Sequence, residues 1–149
     1  MLSSTLKRRV EWGDCDPAGI VFNPQFFRWF DHGTTMLYEA AGWPKQEMLA
    51  RFNAAGCPLV DTRAIFKAPC RYGDDVEITT EIAEIKDRSF DIRHSLTKDG
   101  KLCVEGFETR VWTIKDPERG LKSAPIPAEL VARFRGSDAG TLPVRGYCL

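Results

Sequence analysis

Between Gln25 and Ala41 apolar and small side chains return every three or four residues (Phe26, Phe30, Gly33, Leu37, Ala40), with Phe27, Thr34 and Ala41 beside them. That spacing predicts a helix with one broad apolar stripe, packed on something flat. Asn23-Pro24 supplies its start: Asn23 as N-cap, its side-chain oxygen meeting the free amides of the first turn, and Pro24 at the first helical position, where a missing N–H costs nothing. Gly42 follows as the usual terminating glycine. Gly33 in mid-helix costs up to ~1 kcal/mol against alanine, which makes sense where the backbone closely approaches a sheet or another subunit. Lys45 to Ala54, with Met48, Leu49 and Phe52 on one side, predicts a second, short helix ended by Gly56-Cys57-Pro58.

Beyond Pro58 the period changes from helical to alternating. Leu59 to Phe66 predicts a strand, continuing past Lys67 to Tyr72 with a kink near Pro69. Val76, Ile78, Thr80 and Ile82 alternate with Glu77, Thr79, Glu81 and Ala83; Phe90, Ile92, His94 and Leu96 alternate with Asp91, Arg93, Ser95 and Thr97. Lys98-Asp99-Gly100-Lys101 is a hairpin turn, and Leu102 to Ile114 the return strand. A first strand ends at Arg9, Val10, Glu11 and Trp12, Asp116-Pro117-Glu118-Arg119-Gly120 ends the sheet, and Pro127 to Phe134 predicts a short helix. One strand, one long helix, then four strands in meander is the order of an α+β domain whose curved antiparallel sheet wraps one long helix. Such a sheet leaves an edge strand and much of one face poorly covered, so a homodimer is the minimum expectation.

The 149 residues suit one domain, residues 1–135, with a loose Gly/Ser/Pro-bearing tail over 136–149. Lys plus Arg and Asp plus Glu each total 21, so no overall field steers the molecule onto nucleic acid or an anionic membrane. The apolar runs fall far short of the ~20 residues of a membrane span, and Met1 to Arg9 lacks the apolar core of a signal peptide. A soluble, cytoplasmic protein is expected. Five widely spaced cysteines (Cys15, Cys57, Cys70, Cys103, Cys148), with no C-x-x-C pair, argue against a disulfide framework and a zinc knuckle.

Candidate chemistry gathers in Trp12-Gly13-Asp14-Cys15-Asp16-Pro17-Ala18-Gly19-Ile20-Val21-Phe22-Asn23-Pro24. Asp16 stands seven residues before a helix start, which carries roughly half a positive charge and several unpaired donors. A carbonyl placed there is polarised, and if the loop folds back Asp16 faces its carbon as base or nucleophile. The alternative is an Asx-type turn of Asp16 with Pro17 and Gly19. Cys15 paired with His32 or His94 is a weaker nucleophile candidate, because in extended chain Cys15 and Asp16 point to opposite faces. His94 shares a strand face with Phe90, Ile92 and Leu96 and reads as a core histidine. Arg28 and Asp31, three apart on the helix, can pair.

Arg9-Val10, Cys15-Asp16, Gly19-Ile20-Val21, Asn23-Pro24 and Phe27-Arg28-Trp29-Phe30-Asp31, with Arg88-Ser89-Phe90 and Arg93-His94-Ser95 further on, resemble the 4-hydroxybenzoyl-CoA thioesterase group of the hotdog-fold acyl-CoA thioesterases. The likeness is dense over residues 8–43 and thinner to about residue 115. It implies a hotdog fold, thioester hydrolysis to free acid and CoA, a homodimer or homotetramer, and no cofactor or metal, coenzyme A being part of the substrate. It further implies Asp16 as catalytic carboxylate and the Asn23 amide as a donor to the thioester oxygen. Gly19, Phe22 and Asp31 are then substrate-binding positions. Lys86, Arg88 and Ser89, at a turn between strands, become candidates for the CoA phosphates, solvated turn charges being the alternative. Asn23 stands where hydroxybenzoyl-specific members often carry an aromatic residue; the backbone amide is kept, so the change bears on substrate preference. An aromatic acyl group is expected, with a short aliphatic acyl-CoA, an acyl carrier protein thioester, or a noncatalytic acyl-CoA-binding module as alternatives. A hydratase is disfavoured: its D-x-N-P run followed shortly by His is absent, with Val21 and Phe26 around Asn23-Pro24.

Overall fold

A computed structural model describes residues 1–136. In chain order the elements are β1 (Ser3–Arg9), α1 (Asn23–Ala41), α2 (Lys45–Arg51), β2 (Ala54–Gly56), β3 (Leu59–Phe66), β4 (Asp75–Ile85), β5 (Ser89–Lys98), β6 (Lys101–Val111), β7 (Thr113–Asp116), β8 (Gly120–Ser123) and α3 (Ala128–Phe134). The main sheet is antiparallel in the order β1-β4-β5-β6-β3, and α1 packs on it. This is the α+β arrangement the alternation and the long helix predict. The expected loose tail falls, after Gly136, outside the described residues, as does Cys148.

Two glycines let the helix approach the sheet. A Cβ on Gly33 would lie 2.5 Å from Thr80 Oγ1, and one on Gly106 of β6 would lie 2.6 Å from the Phe30 ring. Phe30 therefore lies in the space Gly106 leaves open and stacks on His94, centroids 4.6 Å apart. The register puts Thr80, His94 and Gly106 side by side across β4, β5 and β6. On one side of that row an apolar cluster holds Leu37, Tyr38, Phe90, Trp112 and Phe134. On the other, Val10, Val21, Phe26, Phe30, Leu96 and Val104 form a second. The core is thus two apolar clusters separated by a polar belt, and the second cluster lies beneath the Asp16 loop.

Several boundaries differ from the periodicity. β1 ends at Arg9, and Trp12–Asp14 coil into a single 3₁₀ turn, because Asp14 turns its carboxylate back onto the Glu11 N–H at 2.8 Å. Phe22 takes the cap position of α1, so Asn23 is its first residue and makes no side-chain cap. α2 stops at Arg51, and the chain after it forms β2. β3 stops at Phe66: the N–H groups of Lys67 and Ala68 both donate to the Cys103 carbonyl, at 2.8 and 3.1 Å, which turns the chain before Pro69. β3 pairs with β6 and not β4, so only β4-β5-β6 are a meander and β3 crosses to the far edge. Asp116 and Gly120 close a hairpin instead of ending the sheet, making the small sheet β2-β7-β8. Among the described residues β3 meets no further strand, and Leu59, Val60, Ile65 and Phe66 along it are exposed.

Candidate active site

The loop after the 3₁₀ turn folds back on itself as a tight ladder. The Asp16 N–H donates to the Ile20 carbonyl at 3.1 Å, the Gly19 N–H returns to the Asp16 carbonyl at 2.9 Å, and Cys15 bridges Val21. Gly19 makes the turn possible, with φ +79°. The loop's exit is fixed twice more: the Val21 N–H donates to the Cys70 carbonyl and the Phe22 N–H to the Asp14 carbonyl, both at 2.9 Å.

The loop's two aspartates have different environments. Asp14 is buried, and its Oδ2 caps Glu11 with Arg8 3.5 Å away, so it is occupied in holding the loop. Asp16 is half-buried; its Oδ1 accepts the Ala18 N–H at 2.8 Å, the Asx turn that its sequence context allowed, while Oδ2 has no partner among the described residues. One oxygen therefore orients the carboxylate and the other remains available to a ligand. Asp16 does not itself line the neighbouring cleft of about 230 Å³, but Ile20, directly across the ladder from it, does, and the other walls are Val21, Asn23, Phe26, Phe66, Lys67, Ala68, Pro69 and Cys70. The Asn23 amide, at the first turn of α1 where no earlier carbonyl reaches it, has no backbone acceptor among the described residues. Carboxylate, unpartnered helix amide and apolar cleft thus share one end of the molecule, which is what a site polarising a carbonyl beside an acid needs.

Of the other sequence candidates, Gly19 and Phe22 flank the cleft-lining residues in the chain without lining the cleft themselves. Cys15 turns its thiol toward the Glu11 carbonyl, 3.9 Å away. His94 is fully buried, its Nδ1 2.9 Å from Thr80 Oγ1, a core histidine as its strand face suggests. Arg28 contacts Gln25 and not Asp31. Asp31 instead accepts a 2.7 Å bond from Arg110 Nη2, linking α1 to the polar belt. Lys86 is 2.9 Å from Asp91, and Arg88 contacts Asp87 and the Ser123 carbonyl. With Ser89 these form the turn after β4, whereas the cleft lies by the start of β4; at about 3.3 Å per residue the two ends are roughly 30 Å apart. One chain does not bring the two groups together.

The sequence reading missed the second wall, Phe66 to Cys70, because it extended β3 through it; the adjacent Ala68-Pro69 was the available signal of a break. Cys70 contributes shape and not reactivity: burial, with Cys103 beside it, pushes its thiol up to about 12. The polar belt beneath was also missed. Glu108 Oε2 accepts from Thr34 Oγ1 and from Arg110 Nε, both at 2.8 Å, and Oε1 faces His94 Nε2 at 3.3 Å without a well-directed hydrogen bond. Burial alone raises a carboxyl; here the neighbouring His94 and Arg110 outweigh it and hold Glu108 at about 2.

The family model of the thioesterase-like superfamily matches residues 10–134. The chain is 35% identical over 136 residues to the 4-hydroxybenzoyl-CoA thioesterase of Pseudomonas sp. strain CBS-3, covering 87% of this chain and 95% of that enzyme. A solved structure of a 4-hydroxybenzoyl-CoA thioesterase mutant with one aspartate changed to asparagine, complexed with 4-hydroxybenzoyl-CoA, superposes with a TM-score of 0.80 at 33% identity, covering 89% of this chain and 99% of that one. A gentisyl-coenzyme A thioesterase does so with a TM-score of 0.77 at 34% identity, covering 88% and 99%. With the match running from the end of β1 through α3 and so taking in the loop, the helix and both walls of the cleft, this chain belongs to the thioesterase-like superfamily.

Proposed function

We propose that this protein hydrolyses the thioester of an aromatic acyl-CoA, releasing the free acid and CoA. The observation that carries the reading is the placement of Asp16 across the loop ladder from cleft-lining Ile20, with the unpartnered Asn23 amide in the same cleft. The acyl carbonyl takes the Asn23 end, where an oxyanion donor is typically worth ~10²–10³ in rate. Asp16 either attacks the carbonyl carbon, forming a mixed anhydride that water then opens, or takes a proton from the attacking water. A thiolate leaves readily, its conjugate acid having a pKa of roughly 8.5, so the site needs no dedicated general acid. Relatives that act on 4-hydroxybenzoyl- and gentisyl-CoA support a ring as the acyl group, and apolar walls including Phe26 and Phe66 suit one.

The working unit in this reading is at least a homodimer paired along the exposed edge of β3. Antiparallel pairing of two β3 edges sets the Phe66 end of one chain beside the Leu59 end of its partner, and the register places Leu59 next to Arg110 and Phe90, hence next to Ser89. A partner's Lys86–Ser89 turn is thereby brought toward the cleft, where Lys86, Arg88 and Ser89 can meet the phosphates of CoA. Substrate-binding roles for Gly19, Phe22 and Asp31 belong to the same proposal. The test is thiol release from a panel of aromatic and short aliphatic acyl-CoA thioesters by the wild type and Asp16→Asn. Loss of turnover by ~10² or more with the fold unchanged is expected, since one carboxylate serves as base or nucleophile; near-normal turnover by the variant ends the assignment.

A further inference from the structure

Lys67 is the one charged residue among those lining the cleft. Its position is fixed: the Lys67 and Ala68 N–H groups both bind the Cys103 carbonyl, at 2.8 and 3.1 Å. Its ammonium, however, has no acidic partner among the described residues. Three other cations at this end of the sheet do, whereas Arg71 and Lys101, like Lys67, have no ion pair among the described residues. Arg8 lies 3.5 Å from Asp14, Arg9 pairs with Asp75 at 2.9 Å, and Lys98 with Asp74 at 3.1 Å. Lys67 is exposed, and the remaining lining is apolar apart from Asn23, so on the cleft side only water or a ligand meets this charge. Lys86 and Arg88 of the same chain lie about 30 Å away along β4.

We propose that Lys67 is a specificity determinant: it receives a negatively charged group of the bound thioester, either a phosphate of the carrier or an anionic substituent on the acyl ring. This rests on the thioesterase reading of the cleft. A lysine suits the role, since its ammonium is a point charge on a flexible four-carbon stem that can follow an anion across a small cleft. The same placement selects against thioesters with a second cation, which Lys67 would repel.

The experiment uses stable thioethers, so that binding is read apart from chemistry. Isothermal titration of wild type, Lys67→Met and Lys67→Arg is made with S-benzyl-CoA, with S-benzyl-N-acetylcysteamine, which has no charge, and with its 4-carboxybenzyl counterpart, which has an anionic ring. Wild type should bind at least one anionic ligand about tenfold more tightly than the neutral one, a margin one charge-assisted hydrogen bond can supply. The methionine variant should narrow that margin about tenfold while binding the neutral ligand unchanged, the arginine variant should keep most of it, and rising ionic strength should erode it in wild type. Loss confined to S-benzyl-CoA assigns the anion to the carrier, and loss confined to the carboxybenzyl ligand assigns it to the ring. A methionine variant that keeps the wild-type margin, or weakens all three ligands alike, overturns the proposal, as does a wild type that shows no preference for either anion. Thiol release from benzoyl-CoA by wild type is measured alongside: no release by wild type, together with a narrowed margin in the methionine variant, sinks the hydrolase reading and leaves Lys67 as an anion site.

Discussion

Glu108 is the group on which the polar belt turns, and replacing it by glutamine tests how much the belt stabilises the fold. The carboxylate is 4% exposed and bonds Thr34 and Arg110. Arg110 in turn reaches Asp31 and the Cys57 carbonyl. A carboxyl that ionises at about 2 instead of 4.5 stabilises the native state by about 3 kcal/mol at neutral pH. Breaking one side of a buried ion pair costs a similar amount, roughly 3–5 kcal/mol, because the buried Arg110 guanidinium is left charged with only the largely exposed Asp31 as its acidic partner. The sign is fixed by the direction of the shift. The folded carboxyl ionises below the unfolded one, so the stabilisation is fully present above about pH 4.5 and disappears as the pH falls through about 2. Urea unfolding at one fixed protein concentration, repeated from pH 7 to pH 2.5, should show Glu108→Gln about 3 kcal/mol less stable at pH 7. The difference should shrink steadily below pH 4.5. A variant within 1 kcal/mol of wild type at pH 7, or a gap that does not narrow in acid, would falsify the reasoning, the first by removing the pair's role and the second by moving the titration elsewhere.

Gly33→Ala should destabilise by about 1–2 kcal/mol in thermal unfolding, because the added methyl meets Thr80 Oγ1 at 2.5 Å and this overpacking outweighs the better helix propensity; a more stable variant would show that the helix is free to move off the sheet. Val60→Lys with Ile65→Lys, both at exposed positions of the β3 edge, should shift sedimentation toward monomer with the monomer's circular dichroism unchanged. An unaltered sedimentation profile would exclude that edge as the interface. Cys57 and Cys70, pushed up to about 11 and about 12 by burial, should stay unalkylated at pH 8 in the native protein and react once it is unfolded, as read by peptide mass spectrometry.

How far the sequence discloses this molecule depends on whether a feature is local. The α1 stripe, Gly33, Gly42 and the Lys98–Lys101 turn could be read because each is fixed by neighbours within a few residues. The Asp99 and Gly100 backbone, at φ +50° and +74°, has the conformation that such a hairpin turn requires. The β3 crossover could not be read this way, since alternation sets which face a strand buries and is silent about its neighbour. The same holds for β2 and β8, which are three and four residues long and take their hydrogen bonds from β7. In the site, Asp16 and Asn23 stood out because loop chemistry and a helix start lie side by side in the chain. Arg110 did not: its importance comes from being 79 residues from Asp31 in sequence and 2.7 Å from it in space.

The polar belt also bears on the roles proposed for Asp16 and the Asn23 amide. Placing Thr34, Thr80, His94, Glu108 and Arg110 across the middle of the core forgoes apolar burial there, and an ionic core of this kind often adds no net stability over a well-packed apolar one. What it fixes is register. Thr34 on α1 bonds Glu108 on β6, and Asp31 on α1 bonds Arg110 on the same strand, so the helix can neither slide nor turn on the sheet without breaking charged bonds. Apolar contacts alone are non-directional and leave that motion cheap. The first turn of α1, with the Asn23 amide, is thereby held at a set height above the Val21–Cys70 bond that anchors the Asp16 loop. Catalysis by a preoriented donor and an acid is sensitive to errors of about 1 Å. If the Asn23 amide is the oxyanion donor, as proposed, the belt acts on the site through the helix that carries it, and a substitution at Arg110 should lower turnover more than it lowers affinity for a substrate analogue.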